Sequence, residues 1–247
     1  MTTSILMVTY NRLPLTQRML DSFLKTTTSP YRLMIVDNAS TDGTVEWLKQ
    51  LNIDSANCQG VNIYFNKTNK GFASGLNRGM KMAEQYKDPY LCSMDNDIEL
   101  PNNWLKDCTD TIDVNPNYVI GVNFEGVSYP PLTKNGRTFQ YKSKGNLGCA
   151  CMVFSRALHE KIGYFTTEYQ LYGEEDANWG FRARLAGYNL GYLITPGLHF
   201  GSGELDSGEY RAFKDECRKK NIPQFQKDCY DYVNKKKSIF HPFTEKS

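Results

Sequence analysis

The chain has 247 residues, of which 40% are hydrophobic and 23% are charged, and its formal net charge is +2 at pH 7. These values predict one large globular domain, or two lobes that share a sheet, with a sizeable core. They argue against a strongly basic surface for nucleic acid, and no apolar run is long enough to span a membrane as a helix.

The first hundred residues alternate between short apolar runs and amphipathic segments. The strands are predicted at 4–9, 32–36, 61–65 and 91–94, and the helices at 13–25, at 44–51 and from the 69–79 segment to about 87. Because strands and helices alternate, the connections should be right-handed crossovers in a mainly parallel sheet. The polar residues that follow each strand should then face one crevice, where ligands bind in open α/β sheets.

The fourth strand is followed by two acids, Asp95 and Asp97, on either side of Asn96. Residues two apart on a strand share a face, so the two carboxylates can converge on one partner. Nearby carboxylates repel each other unless a cation lies between them, and hard oxygen ligands select Mg²⁺ or Mn²⁺. Taken alone, the same pattern is also typical of a solvated acidic turn.

The second half is less regular. Helices are predicted at 100–114, 156–162 and 177–185, strands at 119–122, 148–154 and 187–194, and a long loop or hairpin at 125–145. The strand at 148–154 carries Cys149 and Cys151, which we interpret as small buried packing residues rather than nucleophiles. The seven scattered cysteines indicate free thiols in a reducing cytosol. The first residues lead straight into a strand, so we expect no signal peptide.

The tail from Glu204 onward is charged and aromatic, with a surface helix predicted at 209–220. The segment 235–243 mixes basic and apolar residues. Such a segment can touch an anionic membrane surface. A solvated, partly frayed end is the favoured interpretation.

Four motifs occur in a fixed order: Val8-Thr-Tyr-Asn-Arg12, Val36-Asp-Asn-Ala-Ser-Thr-Asp-Gly43, Asn69-Lys-Gly-Phe-Ala-Ser-Gly-Leu-Asn-Arg-Gly79 and Asp95-Asn-Asp97. Their order and spacing resemble those of the family 2 glycosyltransferases of bacterial or phage type, and the third is close to that of rhamnosyltransferase-like members. The resemblance extends to about Gly203. It implies transfer of a sugar from a nucleotide diphosphate donor, with Mn²⁺ or Mg²⁺.

The resemblance also implies the fold and its organisation. We expect an α/β, GT-A fold with a Rossmann-like, mainly parallel central sheet, helices on both faces and a less regular acceptor-side half. Residues 1–98 would form the nucleotide-sugar-binding half and residues 99–203 the acceptor-binding and catalytic half of the same domain. Residues 204–247 would form a C-terminal tail with a surface helix.

By the same resemblance, the donor site would include residues from all four motifs, namely Thr9, Tyr10, Asn11, Arg12, Asp37, Asn69, Gly71, Asn77, Asp95 and Asn96. Asp37 would accept a hydrogen bond from the base, although an Asx-turn or a helix cap is the alternative. We favour the ligand role for Asp37 and the cap role for Asn38, Ser40 or Asp42. Asn69 and Asn77 would contact the donor sugar or hold their own loop.

The metal site implied by the resemblance combines Asp95, Asp97 and His199. Its catalytic pair is Glu175-Asp176, six residues before Arg182, with Asp176 as the general base and Glu175 on the acceptor. Tyr172, Glu175 and Trp179 are the expected acceptor contacts. The family often has a further Asp where this chain has Asn178, so fine acceptor contacts differ here. The acidic pair also has a structural interpretation, because acids in the first turn of a helix complement the helix dipole.

Together these features predict a metal-dependent, inverting transferase. It would use a UDP- or dTDP-sugar and a hydroxyl of a glycan or lipid-linked glycan. The protein is expected to be cytoplasmic, or peripheral to the inner face of the membrane, without a nucleic-acid partner. Two rivals are a catalytically silent sugar-nucleotide or glycan-binding module and an enzyme that glycosylates modified DNA bases.

Overall fold

The computed structural model describes residues 1–169, 171–200 and 208–245. In chain order the elements are β1 (Thr3–Thr9), α1 (Leu13–Thr26), β2 (Tyr31–Asp37), α2 (Thr44–Gln50), β3 (Cys58–Phe65), α3 (Phe72–Ala83), β4 (Tyr90–Met94), β5 (Ile98–Glu99), α4 (Trp104–Val114), β6 (Tyr118–Gly121), β7 (Pro131–Lys134), β8 (Arg137–Lys142), β9 (Cys151–Ser155), α5 (Arg156–Ile162), α6 (Glu175–Leu185), β10 (Asn189–Tyr192), β11 (Leu198–His199) and α7 (Gly208–Val233). A short 3₁₀ turn, Glu84–Tyr86, follows α3.

Nine of the strands form one sheet, in the order β3-β2-β1-β4-β9-β6-β10-β8-β7. The first four are parallel, β9 runs antiparallel between β4 and β6, and β7 and β8 form an antiparallel hairpin at the far edge. Seven of these nine strands, all except β8 and β9, run in the direction of β1. The expected α/β fold with a mainly parallel central sheet is confirmed.

Helices cover both faces of this sheet because the central strands are apolar on both sides. Along β1, Ile5 belongs to one buried cluster and Leu6 to the other. The first cluster includes Trp104 of α4, and the second includes Trp179 of α6. This alternation follows from the two-residue period of a strand.

A second, two-stranded sheet explains one difference from the predicted elements. Strand β5 follows the Asp95-Asn-Asp97 segment and pairs with β11, so that Ile98 lies opposite His199. The helix predicted from residue 100 therefore begins only at Trp104. The same pairing brings two distant segments of the chain together at the edge of the main sheet.

The C-terminal region differs most from expectation. Helix α7 extends to Val233 despite an internal Pro223, well beyond the predicted end at 220. The frayed end predicted for 235–243 is wrong. His241 pairs with Gly163, and Phe243 packs on Tyr164 with the ring centroids 5.2 Å apart. Residues 201–207, with the start of the tail, lie outside the described residues.

Two smaller differences concern element boundaries. The segment 125–145, predicted as a loop or hairpin, contains the β7–β8 hairpin, and α6 begins at Glu175 rather than at residue 177. Among the helices that the structure describes, none is both long and apolar enough to cross a membrane.

Candidate active site

The carboxyl ends of β1, β2 and β4 meet at one edge of the sheet. Thr9, the last residue of β1, lies in register with Asp37, the last residue of β2. The Asn96 amide donates to the hydroxyl oxygens of Thr9 (3.2 Å) and Thr16 (2.9 Å). Asn96 therefore joins β1 and α1 to the segment after β4.

Asp37 has one carboxylate oxygen occupied and one without a partner. Its Oδ2 accepts from the Ser40 backbone N–H at 3.0 Å, which is the turn that the alternative interpretation predicted. Its Oδ1 is buried and has no hydrogen-bond partner within the described residues. A buried acceptor left unpaired costs free energy, so this oxygen is suited to a ligand N–H. The predicted cap is Asp42, whose Oδ1 accepts from the Thr44 N–H at 3.1 Å.

The loop after β1 is held in an unusual backbone conformation. Asn11 and Arg12 both have positive φ, 57° and 63°, and the Asn11 side chain accepts from the Thr41 N–H at 2.8 Å. This conformation turns the Arg12 guanidinium towards Asp97, with 3.2 Å between Nη1 and Oδ2. Tyr10 remains about half exposed at the rim of the edge.

Asp95, Asp97 and His199 form a compact cluster in which one ligand atom from each residue lies within 4.8 Å of the others. The β5–β11 pairing accounts for it, since His199 lies opposite the residue that follows Asp97. His199 Nε2 is 3.5 Å from Asp97 Oδ1. Two carboxylates and an imidazole are donors that suit Mn²⁺, and the carboxylates alone suit Mg²⁺.

The electrostatics of the cluster also fit a cation. Burial, followed by the negative charges of Asp97 and Asp176, raises the pKa of Asp95 to about 8. The carboxylates therefore repel one another unless protons or a cation neutralise them. The predicted set of metal ligands thus fits a divalent ion by both donor chemistry and charge.

The predicted catalytic pair stands at the start of α6, on one wall of a cleft of about 350 Å³. Asp95 lies on the same cleft, and Tyr172 is part of the lining. The Asp176 carboxylate accepts from the Ala177 N–H at 2.7 Å. Burial raises the pKa of Asp176 to about 6, whereas burial and the charge of Asp176 raise the pKa of Glu175 to about 8. The two neighbouring carboxyl groups therefore resist being ionised at the same time.

Two predicted contacts are wrong. Trp179 was expected at the acceptor, but its side chain is fully buried and stacks on Phe165 with 5.5 Å between ring centroids. It faces the core because α6 turns this position towards the sheet. Asn77 was expected at the donor sugar, but it is also fully buried, and its amide donates to and accepts from the Phe165 backbone. It therefore holds the distant Phe165 backbone rather than its own loop, so neither of its two interpretations is correct.

The loop before α3 has a partly structural role. Asn69 Oδ1 accepts from the Gly71 N–H at 2.9 Å, so it holds its own loop. Gly71 has φ of 85°, and a Cβ added there would lie 3.1 Å from Leu171 Cδ2. Glycine is needed here for both the backbone conformation and the close approach.

Several cleft residues were not predicted. Arg218 of α7 and Asn146 line the cleft. No local sequence pattern around either residue predicts this position. Their positions depend on how distant elements pack, which the sequence motifs do not encode. Cys149 also lines the cleft, but burial raises its pKa well above the usual value. Its thiol is therefore a poor nucleophile, as expected.

Residues 4–187 match the family model described as Glycosyl transferase family 2. The chain belongs to this family. It is 28% identical over 236 residues to Glycosyltransferase AglE of Haloferax volcanii, covering 87% of this chain and 73% of AglE. The predicted family and the prediction of a glycosyltransferase are thereby confirmed.

Two solved structures share the fold. Mannosyltransferase PcManGT of Pyrobaculum calidifontis, in complex with GDP-Man and Mn²⁺, matches with a TM-score of 0.63 at 18% identity, over 86% of this chain and 59% of that one. S. aureus TarS 1-349, in complex with UDP-GlcNAc, matches with a TM-score of 0.62 at 19% identity, over 86% of this chain and 64% of that one. The chain thus spans less than two thirds of either, and the likeness is one of fold: both are GT-A glycosyltransferases.

Proposed function

We propose that this glycosyltransferase is metal-dependent and inverting, and that it transfers a sugar from a nucleotide diphosphate donor to a hydroxyl of a glycan or lipid-linked glycan. One observation carries the proposal. The cation cluster of Asp95, Asp97 and His199 adjoins the acidic pair Glu175 and Asp176, and Asp95 lies on the cleft that this pair lines.

The donor base would bind at the edge formed by β1 and β2. The unpartnered Oδ1 of Asp37 would accept the imide N–H of uracil or thymine, which supports a UDP- or dTDP-sugar. Thr9, Tyr10 and Asn11 would line this pocket, and the Asn69–Gly71 loop would border the donor. A guanine base also presents N–H donors, and PcManGT was solved with GDP-Man, so GDP-sugars belong in the donor screen.

Asp95, Asp97 and His199 would hold the divalent cation. When bound, the cation supplies positive charge to the diphosphate and so helps it to leave. Arg12 forms an ion pair with Asp97, with 3.2 Å between Nη1 and Oδ2, and so borders the cation site. The cation would also offset the repulsion that raises the pKa of Asp95.

Asp176 would act as the general base that removes the proton from the acceptor hydroxyl. Its pKa of about 6 leaves it ionised at pH 7 and still basic enough to accept a proton efficiently. Glu175, whose pKa is about 8, would be protonated at the same pH and would donate a hydrogen bond to the acceptor. Tyr172 would complete the acceptor contact. Attack by a hydroxyl on the face opposite the leaving group inverts the anomeric centre.

The test is a donor screen that measures released nucleoside diphosphate with UDP-, dTDP- and GDP-sugars, with and without Mn²⁺ or Mg²⁺. We expect one donor class to be consumed only with metal, and its product to have the inverted anomeric configuration by NMR. Full release in excess chelator would contradict the metal dependence, and a retained configuration would contradict the mechanism. A silent binding module would bind the nucleotide without consuming any donor.

A lipid-linked acceptor would place the protein on the cytoplasmic face of a membrane. Lys235 and Lys236 are exposed beside Val233 and Phe240, which are 60% and 47% exposed. Basic and apolar groups together suit an anionic lipid surface. Co-sedimentation with anionic vesicles should therefore exceed that with zwitterionic vesicles and fall in the Lys235→Glu, Lys236→Glu double variant. Equal sedimentation with both kinds of vesicle would exclude this contact.

A further inference from the structure

Helix α7 lies beyond the segment that matches the family model, which ends at residue 187. It nevertheless packs along the segment that carries the catalytic pair. Buried Asp228 accepts from the Tyr169 hydroxyl at 2.8 Å, and the Asn178 amide donates to the Tyr232 hydroxyl at 3.1 Å. Tyr169 precedes the pair and Asn178 follows it, so α7 holds both flanks of the catalytic turn.

The turn between these flanks has a backbone that needs support. Gly173 and Glu174, directly before the catalytic pair, have φ of 96° and 70°. The left-handed region is unfavourable for a residue with a side chain, and such a residue stays there only when its surroundings hold it. Hydrogen bonds that support this backbone should therefore be made to the two peptide carbonyls that precede Glu174.

Asn221 of α7 provides those contacts. Its side-chain amide donates to the carbonyl of Tyr172 at 3.0 Å and to that of Gly173 at 2.9 Å. Asn221 is only 2% exposed, so water does not readily replace either bond. One turn earlier in α7, Arg218 pairs with Glu174 at 3.4 Å. A Cβ added at Gly173 would lie 2.5 Å from Arg218 Cγ, which shows how closely the helix packs on the turn.

The other side of the turn is closed by the loop before α3. A Cβ added at Gly71 would lie 3.2 Å from the Leu171 carbonyl oxygen. The segment from Leu171 to Glu174 is thus held between the donor-side loop and α7. A helix outside the matched region therefore contacts the turn that leads into Asp176.

We propose that Asn221 is a positioning residue for the transfer reaction. By fixing the carbonyls of Tyr172 and Gly173, it sets the orientation of Glu175 and Asp176 relative to the acceptor. The inference rests on the proposed role of Asp176 as the base. A misplacement of about 1 Å in a reacting group can cost roughly 10²-fold in rate, so the loss of this support should reduce kcat.

The test compares Asn221→Ala with a matched control, Asn115→Ala. Asn115 is also 2% exposed, and its amide donates to two carbonyls, those of Thr111 at 3.1 Å and Lys134 at 3.4 Å. It belongs to the end of α4 and lines no part of the cleft. Both variants should lower Tm, because each removes two hydrogen bonds from a buried side-chain amide to backbone carbonyls. Only Asn221→Ala should lower kcat, by at least about tenfold, while donor KM and the Mn²⁺-dependent affinity for the nucleotide stay within about twofold of wild type.

A second variant, Asn221→Asp, keeps the size of the side chain but turns an acceptor towards both carbonyls, so it should show the same loss of kcat. If both Asn221 variants keep the kcat of the Asn115 variant, the proposal is wrong. If neither folds while the control does, Asn221 is a folding residue and the proposal is also wrong.

Asp176→Asn, measured in parallel, separates this inference from the proposed function. A full rate in that variant overturns the proposed base, and with it the positioning role stated here. A loss in Asp176→Asn, combined with a normal rate in both Asn221 variants, overturns only the positioning role.

Discussion

The donor edge and the catalytic turn are built in different ways. At the donor edge, Thr9 and Asp37 end their strands and Asp95 follows one; each strand forms from a local apolar run, and parallel pairing aligns the strand ends. At the catalytic turn, the residues that precede Glu175 and Asp176 are held by side chains far along the chain, such as Asn221 and Asp228. The position of a strand end can therefore be predicted from the local sequence pattern. The position of a turn that is held by distant side chains cannot.

The largest effect is expected at the cation cluster, where the donor edge meets the catalytic turn. Asp97→Ala removes an anionic ligand and the ion pair between Asp97 and Arg12. We expect metal-dependent nucleotide binding and transfer to fall together by more than roughly 100-fold, since changes that only support a ligand already cost 10–100-fold. Calorimetric titration with Mn²⁺ and nucleotide measures the loss. Asp107→Ala, a change at a half-exposed acid on α4, is the control.

Unchanged, metal-enhanced nucleotide affinity in both Asp97→Ala and Asp97→Asn would contradict the assignment of the cluster. Unchanged affinity in His199→Ala alone would limit the set of ligands to the two carboxylates.

A smaller effect is expected at the base pocket. It tests whether a substitution at the donor edge weakens nucleotide binding without disturbing the rest of the protein. Asp37→Ala should weaken nucleotide binding by about 1.5–3 kcal/mol, the usual value for a hydrogen bond to a charged group. Asp37→Asn keeps an oxygen for the Ser40 N–H and should weaken binding with little loss of Tm. The control is Asp42→Ala, which removes the cap on Thr44 and should lower Tm but not nucleotide affinity. Loss of Tm without loss of affinity in Asp37→Ala would make Asp37 a structural cap.

The smallest effect is expected in the pH dependence of stability, which depends on acids from both the donor edge and the catalytic turn. Burial raises the pKa of Asp95 and Glu175 to about 8 and that of Asp176 to about 6, from ordinary values near 4. The folded protein therefore binds more protons than the unfolded chain over this interval. The free energy of unfolding of the metal-free protein should consequently fall as the pH rises from about 5 to about 8.

Melting curves in EDTA should record this as a decrease of several degrees, because 1 kcal/mol corresponds to about 2–4 °C for a chain of this size. Saturating Mn²⁺ should reduce the pH dependence, since the cation takes the place of protons at Asp95. A metal-free Tm that rises between pH 6 and pH 8 would contradict these raised pKa values.

The same contrast explains how much could be predicted from the sequence. Strands β1, β2 and β4 were located almost to the residue, since each is a continuous apolar run bounded by polar residues. The ligand set Asp95, Asp97 and His199 was assembled from motif resemblance, and the β5–β11 pairing supplies the contact.

The errors share one physical cause. Asn77 belongs to the third motif and Trp179 lies close to the catalytic pair in the sequence, but helix geometry turns both into the core. The tail from 235 to 243 looks solvated in composition, yet Phe243 packs on Tyr164 and His241 pairs with Gly163, just after α5. Tertiary packing decides the direction of each of these side chains, and composition alone does not contain that information.

The most direct test of the central claim is the transfer rate of Asp176→Asn under saturating donor and Mn²⁺. The substitution keeps the size of the side chain and an oxygen for the Ala177 N–H, so Tm and nucleotide affinity should change little. We expect kcat to fall at least roughly 10²-fold, the usual scale for loss of a general base, whereas Glu175→Gln should also raise the acceptor KM. A near-full transfer rate in folded Asp176→Asn would contradict the mechanism, and a loss of nucleotide binding would place Asp176 in the donor site instead.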